Sequence, residues 1–71
     1  MSSFNIGDTV SWKWGSGSAE GTIDKIVTER IEITSDGKKI TRNGTVDNPA
    51  LVIDRGSGNN ALKLASEVHK K

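Results

Sequence analysis

Two tryptophans and a scatter of lysines and arginines are the side chains in this sequence best suited to hold another molecule. Trp12 and Trp14 stand two residues apart in "DTVSWKWGSGSAEGTI", residues 8–23. On a strand both point to the same face. Tryptophan is highly buried on average, so Trp12 is expected in the core. Trp14 borders the Gly/Ser stretch and has two readings. It packs at the rim of the core, or it stands half exposed with its indole N–H free to meet a ligand. With Trp14 as a stacking platform, Lys13, Lys38, Lys39, Arg42 and Lys63 form a candidate binding surface for a single-stranded nucleic acid. The competing reading is an ordinary solvated surface, since Lys38 and Lys39 flank a turn, where lysine also discourages edge pairing. An aromatic cage for a methylated lysine needs several aromatic faces around one cation. Beyond the tryptophans the chain offers only Phe4 and no tyrosine, too few walls once Trp12 is in the core.

Catalytic chemistry finds no such assembly. The single histidine, His69, lies in the tail with no nucleophile that the sequence can set beside it. There is no cysteine, hence no disulfide, no Cys/His pair and no thiolate for a metal. Asp8, Asp36 and Asp47 sit in turns, where aspartate bonds nearby backbone N–H groups. Asp24 and Asp54 fall on strands, and nothing pairs them as acid and base. "GSGS" and "GSGNN" have the composition of phosphate-binding loops, but neither leads into the helix and lysine that complete such a cradle. No catalytic residue, no metal site and no cofactor is therefore expected.

Charge and length narrow the classes further. Ten basic residues against nine acidic give a formal charge of +1, without the basic excess usual in nucleic-acid binders. Seventy-one residues form a single domain, 1–71, with flexible ends expected at 1–3 and 69–71. A core this small supplies a net stability of only about 3–5 kcal/mol. No secretory signal is legible in "MSSFNIGD", and no stretch approaches the roughly 20 apolar residues that span a bilayer. The expectation is a soluble, cytoplasmic, monomeric protein without a membrane partner.

The elements that would position these side chains are short strands. Eight glycines and one proline divide the chain into segments with period-two alternation. "DTVSWKW" sends Val10, Trp12 and Trp14 inward. "GSGS", residues 15–18, reads as a flexible connection. In "EGTIDKIVTER" the three-residue spacing of Ile23 and Ile26 breaks the alternation, which predicts a bulge or sharp bend. "RIEITSDGKKITR" reads as a hairpin on a type I′ turn at Asp36-Gly37, pairing Ser35 with Lys38, Thr34 with Lys39 and Ile33 with Ile40. "NGTVDNP" is a loop, "ALVIDR" a strand, "GSGNN" a turn and "ALKLA" the returning strand. "SEVHKK" is a helical turn or frayed tail with Ser66 as its cap. The predicted core is Val10, Trp12, Ile23, Ile26, Ile31, Ile33, Ile40, Leu51, Ile53, Leu62 or Leu64, and Val68.

Five to six short antiparallel strands with almost no helix make an all-β chain. Closing them into a small barrel removes exposed edges and encloses one core. An SH3-like (Tudor-like) barrel suits the length. The rival OB-fold wants a longer chain and a helix where this one has "NGTVDNP".

Four ordered segments, "FNIGDTVSWKW", "EGTIDKI", "GTVDNPALVI" and "ALKLASEV", resemble the small hypervirulence-associated Tudor-domain proteins. The likeness runs from Phe4 to about Val68. Its most specific part is Gly7-Asp8-x-Val10-x-Trp12 followed by Gly21-x-Ile23, then Asp47-Asn48-Pro49. An aromatic is common in that family at Leu51 and a histidine at Lys63, so a family site built on those two positions would be altered here. The resemblance implies a Tudor/SH3-like barrel and little about activity. The sequence is thus read as a small non-enzymatic binding module for a protein or peptide. Single-stranded RNA or DNA is the alternative ligand.

Overall fold

The computed structural model describes residues 4–35, 37–56 and 60–70. Strands β1 (Thr9–Trp14), β2 (Gly17–Val27), β3 (Arg30–Ser35), β4 (Lys38–Asn43), β5 (Ala50–Asp54) and β6 (Asn60–Leu64) follow one another. A 3-10 turn over Ala65–Glu67 then leads to the two-residue strand β7 (His69–Lys70). Five strands form an antiparallel sheet in the order β6-β5-β2-β1-β7, and β3 and β4 form a separate two-stranded ribbon. The last strand returns to the first after a 3-10 turn, and the long β2 serves both β1 and β5. This is the order of an SH3-like, Tudor-like barrel, with the ribbon inserted between β2 and β5.

The β1–β2 hairpin corrects the reading of residues 15–18 as a flexible connection. Trp14 pairs with Gly17, so the turn is only Gly15-Ser16, and Gly17 and Ser18 belong to β2. Gly15 has φ +58°, the left-handed conformation that a two-residue hairpin turn demands. The expected irregularity in β2 is present: its register against β5 shifts between Ile23 and Lys25, placing a bulge at Asp24. The ribbon has the expected register of Ser35 with Lys38, Thr34 with Lys39 and Ile33 with Ile40. Of its turn, Asp36 lies outside the described residues and Gly37 has φ +75°. In the "GSGNN" turn, residues 57–59 also lie outside them.

Burial departs from the expected core in an instructive way. Val10, Trp12, Ile23, Leu51, Ile53, Ala61, Ala65 and Val68 form one cluster. Ala50, Val52 and Leu62 form a second, against which Ile31, Ile33 and Ile40 pack half-buried. Strand β5 is thus covered on both faces, by the curled sheet on one side and the ribbon on the other. The ribbon isoleucines and Ile26 of β2 are expected in the core but stay partly exposed, packed against the two clusters and not enclosed within them. Of the pair left open, Leu62 is buried and Leu64 is only half-buried.

One close approach in the sheet and one side-chain pair outside it fix neighbouring segments. A Cβ at Gly21 would lie 2.6 Å from the Ile53 Cγ2 and 2.6 Å from the Asp54 carbonyl oxygen, so only glycine lets β2 approach the end of β5 this closely. The "DNP" stretch is explained by a reciprocal pair. Ser66 N–H donates to Asn48 Oδ1 at 2.9 Å, and Asn48 Nδ2 donates to Ser66 Oγ at 3.1 Å. Ser66 therefore anchors the 43–49 loop and is not the cap of the turn, whose N-cap position is Leu64. His69 and Lys70 pair with Ser11 and Val10, so this part of the expected flexible end lies on the sheet.

Candidate functional site

An open cleft of about 140 Å³ lies where the end of β1, strand β6 and the ribbon meet. Trp12 and Trp14 line it from β1, Ser35, Ile40 and Arg42 from the ribbon, and Arg55 and Asn60–Lys63 from β5's end and β6. Each group arrives there for a local reason. Period-two alternation puts Trp12 and Trp14 on one face of β1. Trp12 is 4% exposed and fills the core, whereas Trp14, next to the turn, is 71% exposed. The answer to the tryptophan question is therefore split: one is core and the other is an open indole.

Three cations line the cleft together with that indole: Arg42, Arg55 and Lys63. No carboxylate lines the cleft among the described residues. A carboxylate does stand beside it. Glu67, in the 3-10 turn, accepts from Arg42 Nε at 2.9 Å and from the Leu64 N–H at 2.8 Å, both on Oε1. Burial opposes the charge on Glu67. The Arg42 and Leu64 hydrogen bonds, with the charges of Arg42 and Lys63, outweigh that and hold its carboxyl below the ordinary value. The cleft thus has an electropositive wall that already stabilises one carboxylate.

Of the residues singled out from the sequence, the fold brings Trp14, Arg42 and Lys63 together. Lys38 pairs with Ser35 and shares the ribbon face of Ile40 and Arg42, but it lies outside the cleft. Lys39, opposite Thr34, is on the other face of the ribbon. Lys13, between the tryptophans, is on the other face of β1 and pairs with Ser18. The basic residues are therefore neither gathered on one face nor fully dispersed. Arg55 and Asn60 were missed. The signal lay in the β5–β6 hairpin, whose Asp54–Asn60 pair sets Arg55 and Asn60 side by side at the cleft.

Backbone edges also border the cleft. The Ile23 N–H donates to the Asp8 carbonyl at 2.9 Å. That bond sets the phase of β1, in which alternate residues turn both backbone groups to the same side. Val10, Trp12 and Trp14 then face β2, while Ser11 and Lys13 face the β7 side. On that side the ladder covers only Val10 and Ser11. Among the described residues no strand pairs with β1 at Lys13 on that side.

No group of three or more His, Cys, Asp or Glu that could hold a metal ion occurs among the described residues. No helix among them is long and apolar enough to cross a membrane. The family model described as "Hypervirulence associated proteins TUDOR domain" matches residues 7–68. No curated protein and no solved structure matches the chain.

Proposed function

The chain belongs to the hypervirulence-associated Tudor-domain family, and from that premise we propose that it is a non-catalytic, monomeric, cytoplasmic module that binds an acidic peptide segment of a partner protein in the Trp14 cleft. The carrying observation is the exposed indole of Trp14 in one cleft with Arg55, Lys63 and the Glu67-paired Arg42, with no carboxylate among the described lining residues. An amphipathic ring gives contact area at low entropic cost, and arginine offers a planar fork that matches a carboxylate. Glu67 on Arg42 is an internal example of a carboxylate held by a cleft arginine, through the single Nε–Oε1 contact at 2.9 Å. The near-zero net charge fits a peptide better than a polyanion, because nucleic-acid binding draws its affinity from many phosphate contacts.

One observation favours single-stranded nucleic acid as a second reading. An open indole flanked by cations is also a stacking platform with phosphate partners. The discriminating experiment is a ¹⁵N–¹H titration, with a short Glu-rich peptide and with an oligothymidylate, at low and high salt. Under the peptide reading the Trp14 indole signal moves with the peptide at low salt, and the shift shrinks as salt screens its few ion pairs. If only the oligonucleotide moves it, and the effect collapses with salt in proportion to the phosphates contacted, the second reading replaces the first. If neither ligand moves it, the cleft is not the site.

A further inference from the structure

We propose that the acidic segment docks by adding a strand to the open edge of β1, with the backbone of Lys13 as its hydrogen-bonding partner. This rests on the peptide reading above and specifies its mode. The chain reaches β7 from the 3-10 turn, so the ladder on that side of β1 begins only at Ser11. Lys13 is exposed, and its N–H and C=O point to the side that no described strand covers. An unpaired edge of this kind is a template for another extended chain.

The neighbouring side chains say what kind of chain it takes. An added strand continues the pleat, so every second side chain falls on the same face as Trp12 and Trp14. That face opens onto Arg42, Arg55 and Lys63. A segment with acidic residues at alternate positions would place its carboxylates on Arg55 and Lys63, Arg42 being engaged by Glu67 and by the Thr41 carbonyl, and its backbone on Lys13. The lysine side chain itself lies on the opposite face and is not needed for the contact.

Amide hydrogen exchange on the full chain tests the mode apart from the binding. In the free protein the Trp12 and Trp14 amides, which face β2, exchange slowly, and the Lys13 amide between them exchanges fast. The probe is a short peptide of alternating glutamate and threonine. Strand addition predicts that the peptide slows Lys13 exchange by at least about tenfold at saturation, while the Trp14 indole signal shifts. An indole shift with unchanged Lys13 exchange overturns strand addition and leaves the peptide-binding reading standing. No indole shift with this peptide overturns both. Slow exchange at Lys13 in the free protein overturns the open edge from which the proposal starts.

Discussion

Replacing Gly21 with alanine puts the geometry of the sheet to a quantitative test. The new methyl would sit 2.6 Å from the Ile53 Cγ2 and from the Asp54 carbonyl oxygen. One obstacle is backbone and the other is a side chain that is fully buried, at 0% exposure, so neither can swing aside. Forcing a methylene-sized group into a packed core costs about 1–3 kcal/mol. Against this, alanine restricts the unfolded chain and returns about 0.4–1 kcal/mol. The net loss is then roughly 1–2 kcal/mol, a large share of the ~3–5 kcal/mol available to a domain of this size. At about 4–8 °C per kcal/mol for a small domain, Tm should fall by roughly 5–15 °C. Gly17→Ala in the same strand is the control. Its Cβ meets nothing within 4 Å and its φ is not positive, so it should leave Tm unchanged or raise it slightly. Thermal unfolding followed by far-UV circular dichroism measures both. A Gly21→Ala protein as stable as the Gly17→Ala protein would refute the close approach of β2 to the end of β5.

The two tryptophans should separate cleanly. Trp12→Ala empties a core position and should cost about 3–5 kcal/mol, enough to unfold much of the protein; Trp14→Ala should change stability by less than about 0.5 kcal/mol and abolish the peptide-induced shifts. Acrylamide should quench Trp14 fluorescence readily and leave Trp12 shielded, so a single quenching class with equal access would contradict the assigned burials. Glu67 carries a pH signature. Its carboxyl is held below the ordinary value in the fold, so its contribution is complete above the unfolded carboxylate pKa near about 4.3 and is lost as pH falls through the lowered folded value. Glu67→Gln keeps an acceptor for the Leu64 N–H and removes only the charge. It should therefore be less stable than wild type at neutral pH, by at most about 1 kcal/mol for a part-exposed pair. The two unfolding curves should converge as pH falls through the lowered folded value, and a difference that does not narrow at all in acid would show that the charge is not the cause.

Local chemistry in the sequence determined the strands, the tight ribbon turn, the β2 bulge and the family pattern. Each follows from spacing or from one residue's conformational needs. Two-residue register from "DG" is such a case, and so is the broken alternation at Ile23 and Ile26. The alternation of Trp12 and Trp14 placed both on one face, but could not say that one is 4% and the other 71% exposed. That difference depends on where the barrel ends relative to the β1–β2 turn. The sequence suggested neither the second cluster nor the missed cleft residues Arg55 and Asn60, since both arise from contacts between strands far apart in the chain. Only the folded ribbon covers the second face of β5, burying Ala50 and Val52 and leaving its own isoleucines half exposed. Only the curl of the sheet brings Arg42, Arg55 and Lys63 into one cleft with Trp14 while Lys13 and Lys39 face elsewhere. Periodicity sets which way a side chain points along its own strand; which strand it then meets is decided by how the sheet closes.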